Sequence, residues 1–222
     1  MTPSGEWKRL YPIRFRHLRE NKFARWQWVD FRYRPPTNDR RVESCHVAEE
    51  TIAVSAKLPQ SERLRLLGPM IAPSAAHAAA AGHSLALIRP LNTRFHWRPK
   101  NSSLIEKERA AYREAVAQKG LFDRDDLRAL EPLPYHFRFS YHDANGPHHG
   151  TCEDWETSTT FWKWRREYGE TSALERLSGI YNDEYPRRGM IFAMGNMAKR
   201  PNIWLLLGVI RLDPEPGQLD LL

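Results

Sequence analysis

"YHFRFSYHDANGPHHGTCEDWETSTTFWKWRREYGE", residues 135–170, holds both periodicities that decide the fold class. Its first nine residues alternate. Tyr135, Phe137, Phe139 and Tyr141 fall on one side, and His136, Arg138, Ser140 and His142 on the other. A period of two with an aromatic face predicts a strand buried on one side. "ANGPHHG" reads as a turn or hairpin loop. From Thr151 the pattern becomes helical. Thr151 and Asp154 have capping-box spacing, with Asp in place of Glu. Glu153, Asp154 and Glu156 crowd the start, and Lys163, Arg165 and Arg166 the end, as the helix dipole prefers.

Downstream, "TSALERLSGIYNDEY" predicts a second helix, and "GMIFAMGNM" and "NIWLLLGVIRL" two strands joined at "AKRP". Upstream, "WKRLYPI", "WQWVDFRYR" and "ETIAVSAKL" read as strands. In the second of these, Gln27, Val29, Phe31 and Tyr33 point one way, and Trp26, Trp28, Asp30 and Arg32 the other. "RFRHLRENKFARW" allows a turn of helix, and "PPTNDRR" a turn. "PQSERLRLLG" and the alanine-rich "PSAAHAAAAGH" predict short helices ending at Gly68 and Gly82. "SLALIRP" predicts a buried strand, and the alternating "TRFHWRP" a partner for it. "SSLIEKERAAYREAVAQKGLF" is a charged, peripheral helix capped by Ser102 or Ser103, with Lys119 late in it; "DRDDLRALEPLP" follows as a shorter one.

Strands and helices without regular alternation predict an α+β fold, a mainly antiparallel sheet with helices packed on it. The organisation expected is a basic β-rich half over 1–98, a helical insertion or linker over 99–132, and an α+β half over 133–222; the three can also form one continuous domain.

The 222 residues allow one large domain or two small ones, and 41% hydrophobic with 11% aromatic residues describes a globular chain. Two cysteines, Cys45 and Cys152, are too few for a disulfide framework and read as free thiols. No apolar run approaches the ~18 residues that span a bilayer, and the start lacks a signal peptide's apolar stretch. The expectation is a cytoplasmic protein without a membrane partner.

Charge is the strongest functional signal. Residues 1–41 carry eleven Lys or Arg against Glu6, Glu20, Asp30 and Asp39, and so the entire net charge of +7. The rest holds 23 residues of each sign. Such asymmetry implies an anionic partner. Arg14, Arg16, Arg19, Lys22, Arg25, Arg40 and Arg41 are the candidate phosphate contacts, since arginine binds phosphate bidentately. Trp26 and Trp28, on the more polar face of their strand, are candidate stacking platforms for bases. Trp7, Tyr11, Phe31 and Tyr33 read as core.

Two other chemistries compete. His148, His149 and Cys152 are metal-ligand types placed close together, but no second cluster at a recognised spacing completes them. His149, Asp154 and Glu156 are the alternative catalytic set, for metal-dependent phosphodiester chemistry. Cys45 and His46 are neighbours on a strand, so they point to opposite faces and do not form a dyad. No Walker loop, G-x-S-x-G, H-E-x-x-H or dinucleotide fingerprint occurs, and no cofactor is expected.

"GEWKRLYPIRFRHL", "KFARWQWVDF", "DRRVES", "SLALIRP", the strand–helix run through "CEDWE" and "RPNIWLLLGVI", in that order, resemble a family of prokaryotic proteins known mainly as conserved hypotheticals. Its members run W-I-R-L-Y-P-I-P-F-R, R-P-E-S, S-L-G-I-I-R-P and D-W-E. The resemblance covers most of the chain outside about 98–132. Members usually begin with one more strand, of the C-V-A-G-I kind, which implies that the first strand here lacks a partner. They often carry cysteines in the turn before the D-W-E helix; this chain keeps only His149 there. The resemblance implies a fold and names no reaction, with a loose association with mobile-element or defence biology.

The reading that follows is a nucleic-acid-binding module, DNA or RNA, with a subunit role in a larger assembly. The alternatives are a metal-dependent nuclease or related enzyme, and a protein–protein adaptor with a basic face.

Overall fold

A computed structural model describes residues 1–11, 13, 23–39, 41–117 and 130–213. Three sheets and the helices packed on them make an α+β fold. The first sheet has the order β1–β3–β2, with β1 (Arg9–Tyr11), β2 (Gln27–Arg34) and β3 (Ser44–Lys57). The second has the order β10–β9–β5–β4, with β4 (Ile71–Ala72), β5 (Leu85–Ile88), β9 (Met190–Met197) and β10 (Arg200–Arg211). The third has the order β6–β7–β8, with β6 (Leu91–Pro99), β7 (Tyr135–Asp143) and β8 (Gly146–Thr151). Among the described residues the α-helices of six residues or more are α1 (Gln60–Leu67), α2 (Ala75–Ala80), α3 (Ser102–Ala117), α4 (Trp155–Tyr168) and α5 (Glu170–Gly179).

The second sheet is covered on both faces, which is why "LALI" is apolar at every position and fully buried. On one side Ala86, Ile88, Phe192, Met194 and Val209 join the main core. The aromatic face of β7, Phe95 of β6, and Phe161, Leu174 and Leu177 of α4 and α5 complete it. Phe137, Phe139, Phe161 and Phe192 are among its largest wholly buried side chains. Each contributes on the order of 2–3 kcal/mol by leaving water. On the other side Leu87, Ile191 and Leu212 meet Leu64 and Leu67 of α1, with Trp7 and Trp26 packed against them. A smaller cluster of Cys45, Val47 and Ile52 lies on β3 under Leu10 and Phe31.

Local details differ from the expectations in ways that packing explains. "TRFHWRP" does not pair with "SLALIRP". Both edges of β5 are taken, by β4 and β9, and the chain changes sheet at Arg89–Pro90 so that β6 pairs with β7. The outer edge of β6 is capped by Asn182, whose amide bonds both the N–H and the carbonyl of Phe95, at 2.7 and 3.2 Å. Asn182 lies in a π-helical turn, Ile180–Glu184, that continues α5. In "ANGPHHG" only Ala144 and Asn145 turn; Gly146–Thr151 is strand β8. Thr151 therefore belongs to a strand and not to a capping box, and Asp154 itself is the N-cap of α4. Asn101, not Ser102 or Ser103, caps α3, its side chain accepting from the Leu104 N–H at 2.7 Å. Tyr33, expected in the core, is 49% exposed, with Lys8 over its ring. Antiparallel pairing dominates, but β1–β3 and β4–β5 are parallel. The first strand thus has a partner, β3. Lys119, most of "RFRHLRENKFARW" and most of "DRDDLRALEPLP" lie outside the described residues.

Candidate nucleic-acid interface

Five of the candidate phosphate contacts, Arg14, Arg16, Arg19, Lys22 and Arg40, lie outside the described residues. The structure places the other two, and both have protein partners. Arg25 pairs with Glu156 of α4 at 2.6 Å and donates to the carbonyl of Val209 on β10 at 3.0 Å. Arg41 pairs with Asp39 at 2.7 Å and donates to the carbonyl of Asn196 on β9 at 2.9 Å.

Asp39 is held by more than one donor. Arg41 donates to it from its guanidinium and its main chain, and Ser44 from its hydroxyl at 2.7 Å. The hydrogen bonds from Arg41 come first among the causes that hold the Asp39 carboxyl far below the usual carboxylate range. Next to it lies Glu43, 4% exposed. Its carboxylate accepts from the N–H of Ser84 at 2.8 Å and the hydroxyl of Ser84 at 2.7 Å. Arg9 of β1 donates to the Ser84 carbonyl at 3.1 Å. Burial pushes the Glu43 carboxyl up, but the Ser84 bonds and Arg9 outweigh it, and the net shift is downward. Asp39, Arg41, Glu43 and Arg9 form a polar clasp between the first sheet and the second.

Trp26 does not lie in the strand. It takes φ of +73° just before β2 and packs against the α1 cluster, with the Arg63 guanidinium over its ring at 4.4 Å. Trp28 is half-buried and borders a cavity of about 460 Å³ with Leu58, Leu66 and Met70. The two tryptophans face α1, so the strand face that reads as polar is also a packing face. Sequence reasoning missed Arg32 and Arg34. Both are exposed on β2 with no carboxylate at ion-pair distance among the described residues. Their signal was present in the alternation of "WQWVDFRYR".

The alternative sets are dispersed. His148 and His149 point to opposite faces of β8. His148 stacks on Tyr141 and bonds Asp143 at 2.7 Å, whereas His149 bonds Ser140 at 3.0 Å. Cys152 is buried and its thiol lies 3.8 Å from the Thr157 hydroxyl; burial raises it to about 12. Asp154, 4% exposed, spends its carboxylate on the Glu156 N–H, the Thr157 hydroxyl and the Val209 N–H. Thr157 in turn contacts the Tyr181 hydroxyl at 2.6 Å. Glu156 is taken by Arg25. Among the described residues no group of three or more His, Cys, Asp or Glu is placed to hold a metal ion. Cys45 is buried, and the neighbouring His46 packs edge-on against Tyr11.

The chain belongs to the family of DUF8757, a domain of unknown function whose model matches residues 71–221. The model of a second domain of unknown function, DUF8758, matches residues 1–69. Neither a curated protein nor a solved structure matches the chain. The clasp and the Arg25–Glu156 pair both join residues of the first matched region to residues of the second.

Proposed function

We propose that the protein is a nucleic-acid-binding module that contacts phosphates through arginines of its N-terminal stretch. The observation that supports this reading is charge segregation: all of the net +7 lies in residues 1–41. Because Arg25 and Arg41 are held by carboxylates, the contacts in this reading come chiefly from Arg14, Arg16, Arg19, Lys22 and Arg40, together with Arg32 and Arg34. A subunit role in a mobile-element or defence-associated assembly, and residence in the cytoplasm, belong to the same proposal. Among the described residues no helix is long and apolar enough to cross a membrane.

The test is the ratio of absorbance at 260 and 280 nm for protein purified at low salt, repeated after a high-salt wash. A high ratio that the wash removes supports the proposal. Each phosphate contact contributes about 0.7–0.9 to the slope of log K against log salt. Changing Arg14, Arg16 and Arg19 together to Ala is expected to flatten that slope. A slope that does not move overturns the assignment of those residues. A protein-like ratio with no heparin retention favours the adaptor.

A further inference from the structure

The part of the chain after residue 41 is neutral in sum, yet the third sheet separates its charges in space. Its inner face is Phe95, Phe137, Phe139 and Tyr141, all in the core. Strand alternation sends the intervening residues to the other side. In register, Arg94 stands beside Ser140, His96 beside Arg138 and Arg98 beside His136. On the far side of β7, Arg138 stands beside Thr151 and Ser140 beside His149. His142 adds a fourth histidine, opposite Pro147.

No outward position on the three strands is Asp or Glu. None of the three arginines has a carboxylate at ion-pair distance among the described residues. Arg94, Arg98 and His149 are exposed; His96 and Arg138 are half-buried. Among the outward positions of the sheet, His96 lies between Arg94 and Arg98 and opposite Arg138. At the margin of this face, His136 borders a cavity of about 650 Å³ that holds Glu108, Glu131 and Glu153.

We propose that the outer face of β6–β7–β8 is a second phosphate-binding surface, which takes the sugar–phosphate backbone of nucleic acid. The choice of ligand rests on the nucleic-acid reading above; the site itself uses no residue of the N-terminal stretch. Three features select this ligand. Charge complementarity requires an anion. Arg94 and Arg98 recur along β6 about 14 Å apart, with Arg138 between them on the next strand, so the array is extended and suits a linear polyanion. No Phe, Tyr or Trp points outward from the sheet, so bases find no stacking platform. The surface therefore reads backbone and not sequence.

The same geometry couples binding to protons. Burial lowers the pKa of His96, opposed by a hydrogen bond to the main chain of Arg94 and reinforced by the charges of Arg138, Arg98 and Arg94. The π-turn that caps the outer edge of β6 adds an exposed Asp183 and a half-buried Glu184, the latter paired with Arg211. A bound phosphate neutralises the arginine field and favours the imidazolium. Because His96 titrates below the ordinary histidine value of about 6.5, affinity is expected to rise as pH falls from about 7 to about 5.

The experiment is fluorescence anisotropy of a labelled homopolymeric oligonucleotide at low salt, at both pH values, with unlabelled polyglutamate as competitor. R94Q/R98Q/R138Q is compared with R14A/R16A/R19A and with H96N. The face variant is expected to weaken binding at least tenfold and to lower the salt slope by about 2–3. H96N is expected to flatten the pH dependence. A urea midpoint checks that the face variant is folded; should it not be, R94Q and R98Q singly, each expected to remove about one contact from the slope, carry the test. Wild-type binding that the face changes leave intact and R14A/R16A/R19A abolishes overturns this inference alone. No binding by the wild type at low salt overturns it together with the proposed function. Competition by polyglutamate as strong as by oligonucleotide at equal charge overturns the phosphate assignment.

Discussion

Arg25 and Glu156 meet in an ion pair of 2.6 Å. Sequence reading assigns them to two different sites, one a phosphate contact and the other a metal-binding carboxylate. In the fold each is the other's partner, and together they tie the residue before Trp26 to the first turn of α4. The pair is part-exposed, with its arginine anchored by the Val209 carbonyl. Glu156→Gln keeps the volume and removes the charge. Burial raises the Glu156 carboxyl against the pull of Arg25, so the cost is expected to stay within about 0.2–1 kcal/mol, the range of exposed pairs, with the loss shrinking in high salt. Urea unfolding at two salt concentrations checks this; a loss equal at both contradicts an electrostatic role.

Asp154→Ala is expected to be far more costly. It removes the N-cap of α4, worth about 1 kcal/mol, and strands the buried Val209 N–H, worth a further 1–3 kcal/mol. A combined loss of about 2–4 kcal/mol in denaturant unfolding is the expected result. Asp154→Asn should recover part of it by keeping one acceptor. A variant of unchanged stability that has lost a metal-dependent turnover would instead place Asp154 in a catalytic site.

Acid is expected to loosen the clasp. Asp39 and Glu43 both have folded-state pKa values below the ordinary carboxylate value of about 4. Their contribution is complete above that value and is lost as pH falls through the lowered ones. Stability measured by urea titration should therefore hold steady from neutral pH to about 5 and decline below about 4. In Glu43→Gln and Asp39→Asn the acid limb of that profile should be shallower. An unchanged profile in both would separate the clasp from acid sensitivity.

Both cysteines are free and buried, and burial raises both thiols. The thiolate is the reactive form. A disulfide reagent at neutral pH should react slowly with the native protein and rapidly with two thiols after unfolding in guanidinium. Fast labelling of the native state would show that one of these sites opens.

The strands and helices were largely legible because each carries its own period. The aromatic alternation of β7 and the unbroken apolar run of β5 report, respectively, one covered face and two. Partner choice was not legible. "TRFHWRP" alternates correctly for a strand, yet nothing in it says that β5 has no free edge. Cap identity was equally hidden, because Asn101 and Asp154 stand next to other good caps, and only the strand ending at Thr151 excludes the rival at α4.

The candidate site divides along the same line. Chain chemistry alone determined the α+β class, the location of the net charge and the free thiols, since these follow from composition and period; the opposite facing of His148 and His149 had to await strand β8, where the sequence reads as a turn. Tertiary structure decided which charges are spent. Arg25, Arg41, Glu43, Asp154 and Glu156 have partners distant in sequence, on β9, β10 or α4 or just before β2 or β5, and Asp39 bonds neighbours that the fold holds in place. Whether a charge is paired depends on what long-range packing brings within about 4 Å of it, and local pattern carries no record of that distance.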